Sequence, residues 1–199
     1  TLKLIWGVDS SVATPISKEP KLVRGEKQGT KVLYFSPVAH KGVEIAVDIA
    51  ELMKDEQFIF AGGDASRRTV RRIERARNIE YLAWIMDTDS LYERTKVLIM
   101  PSLIPEGFGR ACAEAMRRGI PCIVSDVGAL PETVGSGGDV VQRYGDANEW
   151  ARVLALYKDP EYLAKKSQNA LFESKRFTQP RTVDQMAEII ESLVAKKPG

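Results

Sequence analysis

The chain has 199 residues, 44% of them apolar, enough for one large domain or two small ones with a proper core. Its formal net charge of +2 is close to neutral, so nothing in the balance calls for a polyanionic partner such as nucleic acid. No run of about 18 apolar residues occurs, so no membrane-spanning helix is expected.

The chain opens TLKLIWGVDS, with neither an initiator Met nor a basic-then-apolar leader. Such a start reads as a segment cut from something longer, with Met removal as the simpler alternative. Residues 10–30, beginning SSVATPISKEP, are the loosest stretch and read as a surface connection. KVLYFS (31–36) is a predicted strand and 41–54 a predicted helix. QFIFAG (57–62) is the next strand, followed by a helix over 64–77 that Asp64 can cap. That helix carries Arg67, Arg68, Arg71, Arg72 and Arg75, with Val70 and Ile73 marking its buried side. The arginines therefore read as a solvated face, and a membrane or nucleic-acid contact there lacks interleaved aromatics. NIEYLA (78–83) is a strand, and a helix over 88–95 follows Asp87-Thr88-Asp89, a D-x-D that helix capping explains more simply than a metal.

KVLIMPS (96–102) is the fourth strand, followed by a helix over 108–118 that Gly119 can end in a left-handed conformation. PCIVS (121–125) is the fifth strand. Asp146-x-x-Glu149 is a capping-box pattern opening a helix over 147–157. Pro180 suits the first turn of a last helix, 180–196, with Val183, Met186, Ile189, Ile190 and Leu193 on one face. The strands are mostly apolar on successive positions, which suits a sheet covered on both faces. Strand–helix alternation then predicts an α/β fold with a doubly wound, Rossmann-like parallel sheet. Cys112 and Cys122 read as small buried hydrophobes in a reducing compartment. With His40 as the single histidine and no C-x-x-C, a structural zinc site is not expected. Trp6, Trp84 and Trp150 read as packing residues. AGGDAS does not complete G-x-G-x-x-G, so a dinucleotide dehydrogenase has weak support.

Ligands of an open parallel sheet sit outside the carboxyl ends of its strands. The richest strand exit is PEGFGRACAEAMRRG (105–119). Pro101 and Pro105 hold its loop extended, and Gly107 and Gly109 let it turn. The helix beginning near Phe108 then offers free N–H groups that favour a phosphate. Glu106 stands outside that tip and Glu114 lies roughly 8–9 Å along the axis. A diphosphate flanked by hydroxylated rings would meet both carboxylates. The plainer alternative makes Glu114 a surface residue paired with Arg110 and Arg118, four residues away on either side.

EGFGRACAEAM resembles the E-x7-E signature of retaining nucleotide-sugar glycosyltransferases of the GT-B fold, in the group 1 family. IWGVDSSV, FSPVAHKG, IEYLAWIMDTDSLY, SDVGALPETV and RFTQPRTVDQMAEII resemble further segments of that family, in the family's order. The resemblance implies that residues 1–199 are one nucleotide-sugar-binding domain, half of a two-domain architecture whose N-terminal acceptor domain is absent. It implies that Glu106 contacts the transferred sugar near the reacting carbon. Gly107, Phe108 and Gly109 would present amides to sugar and diphosphate, and Glu114 would take the ribose hydroxyls. Lys41 would neutralise the diphosphate leaving group and Ile85 would lie against the base. The partners implied are a nucleotide-sugar donor and the missing domain, with no cofactor or metal and no nucleic acid. A cytoplasmic location is implied, with peripheral contact at the inner membrane face left open. The isolated domain is expected to bind donor weakly and to turn over poorly or not at all.

Two departures stand out. The family's phosphate-binding Arg after the first strand is replaced by Phe35 or Ser36, and Arg110 is the candidate to supply the lost charge. The alternative is that Arg110 pairs with Glu106 or Glu114. Ala129 stands where the family often has a second Gly, which leaves the loop shape open. The other functions kept open are a nucleotide-sugar epimerase or phosphorylase of the same architecture, a non-catalytic nucleotide-binding module, and a nucleic-acid binder using the arginine helix.

Overall fold

The computed structural model describes residues 29–195 except 64, 86 and 178, with the side chains of residues 179–183, 185, 193 and 194 also left out. Of the described residues, 29–175 belong to one compact unit and 176–195 to another.

In the first unit, six short strands form one sheet: β1 (Lys31–Phe35), β2 (Phe58–Ala61), β3 (Ile79–Leu82), β4 (Thr95–Met100), β5 (Cys122–Ser125) and β6 (Gly138–Val141). Every pairing is parallel, in the order β3-β2-β1-β4-β5-β6. Val32, Leu33 and Tyr34 of β1 are buried, as are all residues of β2 and β5. Those continuous apolar runs are what two covered faces demand. The helices are α1 (Val43–Leu52), α2 (Arg67–Arg75), α3 (Thr88–Glu93), α4 (Arg110–Met116), α5 (Leu130–Val134), α6 (Ala147–Ala155) and α7 (Pro160–Ser174). The chain winds outward from β1 through β2 to β3, then returns to β4 and winds outward the other way. The order therefore reverses between β1 and β4, and right-handed crossovers put α1 and α2 on one face and α4 and α5 on the other. A crevice opens at the carboxyl ends of two strands so arranged.

The predicted strands and helices are present, with ends that differ from the expected ones by no more than three residues. Three elements lie outside the sequence reading. β6 contains only Val140 and Val141 as apolar residues, and Gly138 brings its backbone against the Cys122 carbonyl, where a Cβ would lie 1.8 Å from the oxygen. α5 is only five residues long. α7 buries just Leu163, Ala170 and Ser174, too sparse a stripe to read by periodicity. Its start is nevertheless written in the sequence: the Asp159 side chain accepts from the Glu161 amide at the N-cap and Pro160 occupies the first turn.

Other expectations need correcting. Ser66 caps α2, its hydroxyl accepting from the Thr69 amide at 3.1 Å; Asp64 lies outside the described residues. Ile73 and Thr69 are the buried residues of α2, with Val70 half-buried. Arg72 leaves the solvated face and reaches Glu44, Asp48 and Glu51 of α1, at 2.6, 2.7 and 3.0 Å. Asp146 caps α6 by accepting from the Asn148 amide. Glu149 does not complete the box, its carboxylate being taken by Arg143 and Arg152. Trp150 is fully buried, while Trp84 is 90% exposed and packs as no core residue does. Trp6 lies outside the described residues. Gly119 ends the 110–116 region at φ 71, and both cysteines are buried and free.

In the second unit, α8 (Gln179–Ala195) forms where the last helix was expected. Of its predicted apolar face, Met186 and Ile190 are exposed and Ile189 is half-buried. Val183 and Leu193 fall among the side chains not described. No helix among the described residues is long and apolar enough to cross a membrane.

Candidate functional site

The site is built at the reversal between β1 and β4. The β1 exit turns sharply at Ser36, a non-glycine residue at φ 58. Its amide donates to the Ala61 carbonyl and its own carbonyl accepts from Val38. The buried Tyr34 hydroxyl lies 3.2 Å from both the Ser36 and Lys41 carbonyls, tying the two ends of the loop together. Burial pushes that hydroxyl's pKa up, so it is the protonated donor such a tie requires. Gly42 follows at φ 76, where a Cβ would come within 1.9 Å of the Pro101 carbonyl oxygen. The Leu103 amide donates to the His40 carbonyl. The two strand exits are therefore in backbone contact, and Lys41 sits against Ser102 and Glu106.

Glu106 is held from several sides. Its carboxylate accepts from the Ser102 hydroxyl at 2.6 Å and pairs with the Lys41 ammonium. Partial burial works against its charge, but Lys41 and Ser102 outweigh this and hold the carboxyl below its ordinary value. Its carbonyl accepts from the Ala129 amide. Gly128, at φ 57, passes so close that a Cβ would lie 2.5 Å from the Glu106 nitrogen and oxygen. Ala129 itself has φ −89, a conformation that needs no glycine, so the family's second glycine is dispensable for this loop shape.

The two glycines of the Gly-Phe-Gly step differ. Gly109 is the N-cap of α4 at φ 80, with Leu130 of α5 at 2.6 Å from the place of its missing Cβ. Gly107 faces open space and has no left-handed φ, so the turn itself does not demand a glycine there. Thr133 of α5 donates to the Phe108 carbonyl at 2.6 Å. The short helix that sequence reading missed thus fixes the glycine step. α4 begins at Arg110, two residues later than expected. The amides of its first turn have no acceptor within the helix.

These elements enclose a cavity of about 480 Å³. Lys41, Glu106, Phe108, Gly109, Arg110, Glu114 and Ile85 all line it, whereas Gly107 does not. Glu114 is half-buried and accepts from the Tyr92 hydroxyl at 3.1 Å. Neither Arg110 nor the Arg118 guanidinium takes its carboxylate, since Arg118 donates to the Glu114 carbonyl and to Asp89. Arg110 is exposed at the cavity and has no hydrogen-bond or ion-pair partner among the described residues. The expected alternative, an Arg110 pair with Glu106 or Glu114, does not form. His40 is exposed and does not line the cavity. Asp87 caps α3 through the Asp89 amide. Among the described residues no group of three His, Cys, Asp or Glu is arranged to hold a metal ion. Ser36, Ser102 and Tyr92 also line the cavity. Ser102, four residues before Glu106, could be read from the strand exit, whereas only the fold brings Tyr92 to Glu114. The cavity thus gathers two carboxylates, two cations and a helix start, a lining suited to an anion flanked by hydroxyl donors.

Residues 29–159 match the sequence profile of the family Glycosyl transferases group 1. The O-antigen chain mannosyltransferase B of Escherichia coli is 32% identical over 117 residues, which is 58% of this chain and 30% of that protein. The D-inositol 3-phosphate glycosyltransferase of Saccharomonospora viridis is 32% identical over 116 residues, 57% of this chain and 26% of that one. Among solved structures, Anabaena HepE in complex with UDP and glucose aligns with a TM-score of 0.73 at 26% identity, over 83% of this chain and 49% of its own. A sucrose-phosphate synthase from Thermosynechococcus elongatus aligns with a TM-score of 0.77 at 22% identity, over 98% of this chain and 56% of its own, and shows the same fold. The chain spans less than two thirds of the length of each of these proteins.

Proposed function

The chain belongs to the Glycosyl transferases group 1 family, and from that premise we propose that it is the donor-binding domain of a retaining, hexosyl-type glycosyltransferase. Its donor is a nucleotide diphosphate sugar and its acceptor is engaged by a further domain. The observation that carries this reading is the shared cavity of Lys41, Glu106, Arg110 and Glu114 at the seam of β1 and β4. Transfer breaks the bond between the anomeric carbon and the diphosphate oxygen and joins that carbon to an acceptor oxygen, so negative charge grows on the departing diphosphate. Lys41, Arg110 and the α4 amides, which border one cavity, would stabilise it. No metal is called on for that role. Among the described residues Arg110 has no partner to give up, whereas Lys41 has to share itself with Glu106. The ionised Glu106 carboxylate would accept from sugar hydroxyls beside the reacting carbon, and Glu114 from the ribose. Ile85 offers an apolar wall to the base.

The HepE complexes make UDP and UDP-glucose the first ligands to try, followed by their guanosine and adenosine counterparts. A nucleotide at 100 times its dissociation constant should stabilise the protein by about 2.7 kcal/mol in a thermal-shift assay, and Lys41→Ala should reduce that shift. If no nucleoside diphosphate or sugar conjugate shifts the melting temperature, the reading fails.

A further inference from the structure

Glu114 reaches the cavity from the second turn of α4, a position from which a carboxylate on a flexible stem can take several rotamers. It is held by a residue of another helix. Tyr92 of α3 is buried, and its hydroxyl donates to one Glu114 carboxylate oxygen at 3.1 Å. The tyrosine ring is itself fixed on two sides. The buried Arg118 guanidinium lies 4.5 Å from its centroid, and the Phe35 ring meets it edge-on at 5.8 Å. Arg118 is anchored in turn by the Asp89 carboxylate and by the Glu114 carbonyl at 2.9 Å. Burial and the Glu114 charge both push the Tyr92 pKa up, so it remains a donor throughout the working pH range.

We propose that Tyr92 is a positioning residue that aims the Glu114 carboxylate at the ribose of the donor, one oxygen engaged by the tyrosine and the other left for a hydroxyl of the ligand. This rests on the reading of Glu114 as the ribose acceptor. An untethered carboxylate would lose orientation entropy on binding and would point elsewhere in the empty site. The tether removes that cost in advance, and it connects α4 to α3, whose first residue, Thr88, lines the same cavity.

Removing the hydroxyl alone with Tyr92→Phe keeps the ring, its Arg118 contact and its packing. The probes are UDP, GDP and ADP and their 2′-deoxy counterparts, measured by calorimetry on the protein and on the Tyr92→Phe and Glu114→Gln variants. Tyr92→Phe should weaken the ribonucleotide that binds by about tenfold, the scale of one hydrogen bond to a charged group. It should leave the deoxynucleotide nearly unchanged, so that the preference for ribose collapses. Equal weakening of both would show a merely structural role and overturn the proposal. If Glu114→Gln abolishes the ribose preference and Tyr92→Phe does not, the ribose reading stands and the role of Tyr92 falls. If Glu114→Gln leaves the preference intact, the reading beneath the proposal is itself overturned.

Discussion

Two cation–carboxylate clusters in this molecule use the same chemistry to opposite ends. On the outer face of α1 and α2, Arg72 meets Glu44, Asp48 and Glu51, whose side chains are about half exposed (48, 47 and 51%). At the seam of the sheet, Lys41 meets a single carboxylate, Glu106, which is 14% exposed and backed by Ser102. In the first cluster every partner is open to water, which screens the attraction and leaves little net stability. In the second, a cavity wall excludes much of that water, and the cation stands where a ligand can compete for it. Arginine-rich sequence is therefore a poor guide to chemistry here. What separates the two clusters is burial and the empty volume beside one of them.

That contrast can be broken most directly at Glu106. Glu106→Gln in the full-length protein should lower sugar transfer by about a hundredfold or more, with the fold intact by circular dichroism; unchanged transfer would leave the seam cluster with no more function than the outer one. Next, Gly128→Ala should destabilise by about 2 kcal/mol or more, because its left-handed backbone and the abutting Glu106 main chain leave no room for a Cβ. Chemical denaturation measures this, and a loss below about 0.5 kcal/mol would mean the loop holding Glu106 is not as tight as drawn. Arg110→Ala should then weaken nucleotide binding roughly tenfold, and a change smaller than about twofold would end its assignment to the diphosphate. A smaller effect follows from the depressed Glu106 carboxyl. The stability it contributes is fully present above its unfolded-state pKa and is lost as pH falls through its lower folded-state value. Acid titration of stability should therefore flatten in that window in Glu106→Gln relative to the parent. Smallest of all, Arg72→Ala should cost within about 1 kcal/mol and leave nucleotide binding unchanged.

The strands were legible because both faces of the sheet are covered, so each core strand is apolar without interruption. Helix starts at Ser66 and Pro160 were written in capping chemistry but were overlooked or misplaced by a few residues. Of the elements that escaped, β6 and α5 are short and depend on close approaches that only neighbours reveal, such as Gly138 on Cys122 and Leu130 on Gly109, while the longer α7 buries too few residues to show a stripe. At the site, Lys41, Glu106, Phe108, Gly109, Arg110, Glu114 and Ile85 were named from the sequence, by resemblance or by their place at a helix start, and the fold gathers all of them. Gly107 was assigned to the turn on the strength of being a glycine, and the backbone shows no need of one. Tyr92 and Ser36 were out of reach for different reasons. The first acts across 22 residues of chain, and the second is marked only by a torsion angle that no residue type announces.

The contact of Gly42 with the Pro101 carbonyl has a mechanical meaning. It welds the turn after the first strand to the turn after the fourth, so the ammonium and the carboxylate they carry ride on one rigid plate. A sliding of one half of the sheet against the other would have to tear main chain from main chain before it could part the two charges. Opening and closing around a substrate must therefore draw on parts outside that plate, and substituting a bulkier residue at position 42 should disable the site without touching any group that meets the ligand.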